Sequence, residues 1–319
     1  MTSLVWEKLN HDSIFNAVEE ALGESMSTLL IKRNSYINRV YELEKQSSPD
    51  RIVAKFYRPL RWTREMILEE HQFLEELAAG EVPVIEPLKI KDKTLFMFED
   101  MPFALFPKRG GRALDEFDKE GWKTIGRHIA RMHVVGEKHK SSKRIDWKPA
   151  RATAHHVETL FKTKYVLPDF ESAFRKAAEL FIKKAEPLFE GPENILLHGD
   201  LHKGNLIHRP GEGLYIIDFD DICMGPPVQD VWMLLPDKPE NCENELSWFF
   251  DGYETFRSFD RKTLDLIPAL RGMRIIHFVS WLSLQSSEPD FHKHFPEAGN
   301  KKYWNEIIKD IQNIVYEEL

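Results

Sequence analysis

The first hundred residues carry short runs of β-branched and aromatic residues, each bounded by polar or turn-forming residues. Runs of this length and composition are typical of strands. The pattern predicts a small antiparallel sheet near the start of the chain. Its predicted strands are Ser27–Lys32, Asn38–Leu43, Ile52–Tyr57, Leu88–Ile90, Leu95–Phe98 and Phe103–Phe106.

Two helical patterns accompany these strands. Asp12–Leu22 predicts a short helix, and Thr63–Ala79 predicts a longer one whose first residue is a suitable N-cap. A stretch rich in turn-forming residues follows at Pro107–Gly111. We place a lobe boundary there, with residues 1–107 as the first lobe and residues 108–319 as the second.

Beyond this boundary the apolar positions recur mainly with helical spacing. Two short apolar runs, Ile195–Leu197 and Tyr215–Ile217, are predicted strands, and each leads directly into acidic residues. A sheet-rich lobe joined to a helical lobe, with acidic residues at the strand ends, predicts a two-lobed α+β cleft enzyme. The predicted helices are Lys119–Val135, Pro168–Leu188, Glu240–Phe256 and Leu264–Leu284.

Composition and charge narrow the class of protein. A formal net charge of −8 argues against a nucleic-acid partner, because such binding needs a dense excess of Lys and Arg. Two arginines and an aspartate within Leu264–Leu284 would be costly in a bilayer, so we expect no membrane span. The chain has two cysteines, and its N-terminal stretch lacks the basic start and apolar core of a secretory signal. We therefore expect a cytoplasmic location.

The strongest chemical signal lies at the two acidic strand ends. Asp200 precedes Asn205 by five positions, the spacing found in a kinase catalytic loop, and Asp218 follows Asn205 by thirteen. Phosphoryl transfer needs a carboxylate to orient the acceptor hydroxyl and accept its proton, and oxygen ligands to hold magnesium against the phosphates. Asp200 suits the first role. Asn205 and Asp218 suit the second, and we assign Asp200 and Asp218 as catalytic residues.

Two other interpretations of this segment remain open. Each aspartate alone could be an ordinary turn residue after a strand, and Asn205 a turn former. His198 and His202, four positions apart, could instead bind a metal in a hydrolase. Glycines at positions 199 and 204 disfavour the regular helix that such histidine spacing requires.

The first lobe offers candidates for the nucleotide. Lys55 lies among apolar residues in a predicted strand, and a kinase-like site pairs such a lysine with a glutamate of the following helix. Glu69 and Glu70 are both candidates, and we favour Glu70. Ser35, in a predicted hairpin, could meet a phosphate through its N–H and hydroxyl. Phe106, at the end of the last predicted strand of this lobe, completes the nucleotide-binding set.

At these positions the chain resembles the kinase-like phosphotransferases that include aminoglycoside phosphotransferases, choline kinases and homoserine kinases. The resemblance spans most of the chain and implies a protein-kinase-like fold, ATP as donor and Mg2+ as cofactor. It further implies Asp200 as proton acceptor, Asn205 and Asp218 as magnesium ligands, and Ser35 at the nucleotide. The matching segments are Asn34–Tyr36, Asn38–Tyr41, Val53–Pro59, Arg61–Thr63, Ile67–Phe73, His198–Asp200, Asp218, Asp220–Asp221, Gly225–Pro226, Val228–Asp230 and Trp232–Leu235.

The resemblance favours serine or threonine of a protein as the acceptor. A small-molecule kinase, acting on an amino alcohol, an aminoglycoside or homoserine, is the alternative. A nucleotide-binding pseudokinase that serves as an interaction module is a third hypothesis, but it would need a missing catalytic residue. We expect a monomer.

Asp218 and Asp230 are only twelve positions apart, which leaves no room for a long regulatory activation segment. Asp230 is expected to accept backbone hydrogen bonds from the catalytic loop.

Overall fold

The computed structural model describes residues 6–114 and 116–319. Residues 1–5, part of the N-terminal stretch on which the absence of a secretory signal was predicted, lie outside the described residues. Within the described ranges, no helix combines the length and hydrophobicity needed to cross a membrane.

The N-terminal lobe contains a single five-stranded antiparallel sheet. Its strands are β1 (Met26–Arg33), β2 (Arg39–Lys45), β3 (Arg51–Phe56), β4 (Phe96–Phe98) and β5 (Met101–Pro107). They lie in the order β1-β2-β3-β5-β4. Ile52, Ala54 and Phe56 of β3 are buried in the lobe's core. Because side chains alternate along a strand, Lys55 faces the opposite side of the sheet.

Two helices flank this sheet, as the sequence predicts: α1 (His11–Leu22) and α2 (Arg64–Ala79). Ile14 and Val18 of α1 belong to the same buried cluster as the core residues of β3. The predicted cap of α2 is confirmed, since the Thr63 side chain accepts a hydrogen bond from the Met66 N–H at 3.3 Å. This cap sets the first residue of α2, Arg64, a short connection after the end of β3.

One predicted strand of this lobe, Leu88–Ile90, is wrong. The Leu88 N–H donates a single bond to the Leu105 carbonyl, and Ile90 forms only an isolated bridge with Lys93. Pro87 has no N–H with which to extend a ladder. The segment lies along β5 without becoming a strand.

The C-terminal lobe is mainly helical. Its helices are α3 (Lys119–Gly136), α4 (Ala154–Lys162), α5 (Glu171–Ala185), α6 (Gln229–Trp232), α7 (Glu243–Tyr253), α8 (Ile267–Gln285), α9 (Phe291–His294) and α10 (Lys301–Asn313). Its short strands are β6 (Arg112–Ala113), β7 (Ile195–Leu197), β8 (Leu206–Arg209), β9 (Gly213–Ile216) and β10 (Cys223–Gly225). Strand β7 pairs with β10, and β8 pairs with both β6 and β9, all antiparallel. The predicted two-lobed α+β fold is confirmed.

Helices α3 and α7 pack closely because glycine stands at their crossing. A Cβ atom at Gly252 would lie 2.0 Å from the Lys123 carbonyl oxygen, which is backbone and cannot rotate away. Glycine at this position therefore allows the backbones of α3 and α7 to approach closely.

The segment after α2 also reaches the second lobe. The Ile216 N–H of β9 donates to the Pro83 carbonyl at 2.9 Å. The predicted strand Tyr215–Ile217 corresponds to β9, which begins two residues earlier and ends one residue earlier, at Ile216. Ile217 leads instead into the site described below.

Candidate active site

The loop between β7 and β8 is held in place by backbone hydrogen bonds to His198. Its Nε2 donates to the Ile217 carbonyl at 2.9 Å, and its Nδ1 accepts from the Asp200 N–H at 3.3 Å. Both ring nitrogens are therefore engaged in fixing the loop. This arrangement favours a structural role for His198 over the alternative of a metal ligand.

Asp230 also holds this loop, through hydrogen bonds to its backbone. Its carboxylate is fully buried and accepts hydrogen bonds from the His198 and Gly199 N–H groups, both at 2.9 Å. Gly199 has a φ of 82°, and a Cβ atom there would lie 2.3 Å from the Asp221 carbonyl oxygen. The position thus needs glycine. The predicted role of Asp230 is confirmed.

Asn205 joins the loop to the segment after β9 that carries Asp218. Its side-chain Nδ2 donates to the Asp200 carbonyl at 2.9 Å, and its own carbonyl accepts from the Ile217 N–H at 3.0 Å. Asn205 is buried. Asn205 is therefore hydrogen-bonded to Asp200 on one side and to Ile217, the neighbour of Asp218, on the other. These bonds bring together the three residues that the spacing singled out.

Asp218 has a strained backbone and an open side chain. Its φ of 65° is unusual for a residue other than glycine, and such strain is found at functional sites. The side chain is 57% exposed, toward the cavity that it lines. Because the carboxylate lies deep in the cleft, desolvation raises the pKa of Asp218, and the neighbouring Asp220 raises it further. A carboxylate in this position suits a bound cation.

Lys55 meets three carboxylates from both lobes. Its Nζ pairs closely with Asp220, and lies 3.5 Å from Glu70 Oε1 and 3.8 Å from Asp218 Oδ1. Burial opposes the charge, but the carboxylates, with Asp220 foremost, outweigh it and raise the pKa of Lys55 well above its usual value. Lys55 is therefore a cation at neutral pH.

Glu70, rather than Glu69, is the glutamate of α2 that faces Lys55. The Glu70 side chain is 1% exposed, and burial raises its pKa to about 7, against the opposing effect of Lys55. Both glutamates lie 3.9 Å from Arg144, and Glu70 is the one that also pairs with Lys55.

Asp220 links the cleft to three points of the N-terminal lobe. Besides Lys55, it accepts from Asn38 Nδ2 at 2.5 Å and from Arg61 Nη1 at 3.3 Å. In the sequence, Asn38, Arg61 and Asp220 belonged only to matching segments and had no assigned role. The structure shows that they fasten the β1–β2 loop and the β3–α2 connection to the segment after Asp218.

Arg144 is a site residue that sequence reasoning missed. Its Nη1 donates to the Asp220 carbonyl at 2.8 Å and its Nη2 to the Met66 carbonyl of α2 at 2.6 Å. Arg144 is 4% exposed although it ends a run of lysines, serines and a histidine that resembles a solvated loop. No local signal distinguishes it. Through this residue, the C-terminal lobe holds α2 in place.

A cavity of about 510 Å³ lies between the lobes. Six of the seven residues predicted for the site line it, while the seventh, Asn205, is buried at the loop between β7 and β8. The six are Ser35, Lys55, Glu70, Phe106, Asp200 and Asp218. Helix α8 forms the opposite wall, with Arg274, His277, Phe278 and Trp281.

The β1–β2 loop that carries Ser35 is held against the C-terminal lobe by an aromatic contact. The ring of Tyr36 lies 5.5 Å from Trp281 and 5.4 Å from both His294 and Phe295, measured between centroids. Such tilted and edge contacts are favourable aromatic geometries. The loop therefore closes one side of the cavity.

Arg274 lies beside the candidate base. Its Nη2 is 2.7 Å from Asp200 Oδ1, and both side chains line the cavity. An arginine and a carboxylate thus stand together where an acceptor hydroxyl would have to approach.

Comparison with known proteins gives a family match over most of the chain. Residues 31–267 match the phosphotransferase enzyme family. Stress response kinase A of Escherichia coli strain K12 is 34% identical over 308 residues, covering 95% of this chain and 92% of the relative. The serine/threonine protein kinase RdoA of Salmonella typhimurium strain LT2 is 33% identical over 310 residues, covering 95% and 91%.

Solved structures share the fold at low sequence identity. An amicoumacin kinase, in complex with AMP-PNP and Ca2+, has a TM-score of 0.77 at 18% identity, and the match covers 99% of this chain and 96% of that one. A spectinomycin phosphotransferase, in complex with ADP and spectinomycin, has a TM-score of 0.66 at 15% identity, covering 98% and 99%.

Proposed function

The chain belongs to the phosphotransferase enzyme family, and we propose that within this family it is an ATP- and magnesium-dependent serine/threonine protein kinase of the stress response kinase A type. The single observation that carries the proposal is that one cavity collects Asp200, Asp218 and the Lys55–Glu70 pair. Two relatives, 34% and 33% identical to this chain, are named as a stress response kinase and a serine/threonine protein kinase.

The N-terminal lobe, residues 1–107, binds the nucleotide in this proposal, and residues 108–319 carry catalysis and the acceptor. Lys55, oriented by Glu70, provides the positive charge for the ATP phosphates. Ser35 lies on the loop that closes over the cavity, and Phe106 offers an apolar surface for the nucleotide.

Asn205 and Asp218 are the proposed magnesium ligands. The bond from Asn205 Nδ2 to the Asp200 carbonyl fixes the amide, so that its oxygen is the atom left for a cation. The exposed Asp218 carboxylate supplies the negative charge. When bound, Mg2+ neutralises phosphate charge during phosphoryl transfer.

Asp200 is the proposed catalytic carboxylate, which orients the acceptor hydroxyl and accepts its proton. Asp230 and Asn205 hold the loop on which it stands. The presence of all three residues, Asp200, Asn205 and Asp218, argues against the pseudokinase alternative.

A small-molecule kinase remains the second candidate. The low-identity solved structures, whose names include an aminopropanol kinase, show that the fold also serves small alcohols. Against it, Arg274 lies beside Asp200, where a cationic substrate would need carboxylates free to pair with it. We further propose a monomer that acts in the cytoplasm, where free cysteines such as Cys223 and Cys242 stay reduced.

Radiolabelled ATP tests the proposal. Wild type with MgATP is added to a cell lysate, and the product is separated into protein and small-molecule fractions. We expect label on serine or threonine of proteins, and a loss of at least about a hundredfold in Asp200→Asn. Asp251→Asn, at a half-exposed aspartate outside the cavity, is the matched control. Label found only in a metabolite would refute the protein kinase proposal and keep the phosphotransferase.

A further inference from the structure

Two aromatic side chains of α8, Phe278 and Trp281, form an aromatic shelf at the cavity that contains Asp200. Their rings are nearly parallel, with centroids 5.7 Å apart and an angle of 12° between them. Phe278 is 42% exposed. An ordered aromatic surface that stays open to solvent inside a cleft is suited to burying an apolar group of a ligand.

The helix sets the distance between this shelf and the candidate base. Arg274, which contacts Asp200, precedes Phe278 by four positions and Trp281 by seven, so all three lie on one face of α8. At 1.5 Å per residue, Phe278 is about 6 Å farther along the helix than Arg274.

In an extended polypeptide, two residues that are two positions apart are separated by a similar distance. Each residue advances about 3.3 Å, and side chains alternate between the two sides, so residues i and i+2 face the same way about 6.6 Å apart. With an acceptor hydroxyl at Asp200, the side chain two positions away reaches the shelf.

We propose that the aromatic shelf is the docking surface for the acceptor polypeptide, and that it binds an apolar side chain two positions from the phosphorylated serine or threonine. This inference rests on the proposed protein kinase function. The shelf and Asp200 line one continuous cavity, and Arg274 between them disfavours a cation at the same place. The ring of Tyr36 lies 5.5 Å from that of Trp281, and this contact helps to keep the shelf in position.

Peptides with a single serine in an alanine and lysine background test the proposal. Leucine is placed in turn at positions −2, −1, +1 and +2 relative to the serine, and kcat/KM is measured with MgATP. We expect a roughly tenfold preference for leucine at −2 or +2, which corresponds to about 1.4 kcal/mol, and none at −1 or +1. Phe278→Ala should reduce the preference to near one, whereas Phe278→Tyr should keep it. Leu188→Ala, at an exposed leucine outside the cavity, is the control that should keep it too.

The outcomes separate this proposal from the one on which it rests. A preference that survives in Phe278→Ala, or one that appears at −1 or +1, overturns the shelf as docking surface and leaves the protein kinase intact. If wild type phosphorylates no peptide or protein beyond the Asp200→Asn control, both proposals fail. Phosphorylation confined to a small aromatic alcohol overturns both as well.

Discussion

Replacing Asp230 with alanine removes the acceptor for two buried N–H groups of the catalytic loop. A hydrogen bond to a charged group is worth about 1.5–3 kcal/mol, so losing both should lower the free energy of unfolding by about 3–6 kcal/mol. Asp230→Asn keeps one oxygen but turns an NH2 group toward the other N–H, so about half of that loss is expected. Asp200 lies one residue beyond the second of these N–H groups, so turnover should fall in both variants.

Thermal unfolding and steady-state kinetics check this prediction. A loss of about 3 kcal/mol lowers Tm by roughly 6–12 °C in a domain of this size range. Asp251→Ala, at a half-exposed aspartate paired with Lys123, is the matched control and should change Tm little. An Asp230→Ala protein whose Tm stays within about 2 °C of wild type would show that the loop does not depend on this carboxylate.

Three further predictions follow from single contacts. Asp218→Asn should weaken the affinity for MgATP because it removes the charged ligand, and calorimetry showing unchanged affinity would place the metal elsewhere. Burial lowers the pKa of His71 to about 3, so the unfolded state takes up a proton that the folded state refuses. His71 should therefore make stability fall as pH drops below 6.5, and its own contribution to the slope is up to about 1.4 kcal/mol per pH unit; a His71→Gln protein with the same slope as wild type in urea unfolding between pH 7 and 5 would contradict this. Gly252→Ala should lower the free energy of unfolding by about 1–3 kcal/mol or more, because the new Cβ atom would overpack against Lys123. Gly110→Ala, where a Cβ atom would lie in open space, is the control and should not lower it. Equal Tm values for the two variants would refute this prediction.

The sequence could predict that Asp200, Asn205 and Asp218 lie close together because their arrangement is local. Asp200, Asn205 and Asp218 lie on one loop and the hairpin that follows it, so their spacing along the chain reflects their positions in space.

The contacts of Asp220 could not be found in this way. Asn38, Arg61 and Arg144 reach it across 182, 159 and 76 positions, and each is an ordinary polar residue in its own neighbourhood. Only the packing of the two lobes brings them together.

Four helices of the C-terminal lobe, α4, α6, α9 and α10, were also absent from the predicted set. For α10 the signal was present, since Trp304, Ile308 and Ile311 are buried at helical spacing. At Leu88–Ile90 the sequence signal was misleading, since it predicted a strand that the structure lacks. The apolar residues of this segment are typical of a strand, but Pro87 and the turn after it prevent a ladder.

The ion pairs of Lys55 also set an order of events during synthesis. The strands that surround Lys55 are complete once residue 107 has left the ribosome, but Asp220 follows Lys55 by 165 positions. At about 5–20 residues per second, on the order of 6–20 s pass between the synthesis of residue 107 and that of Asp220. During this time the nascent sheet holds an ammonium group whose partners from the second lobe do not yet exist. The full set of ion pairs of Lys55 is therefore formed late in translation, when the lobes first meet.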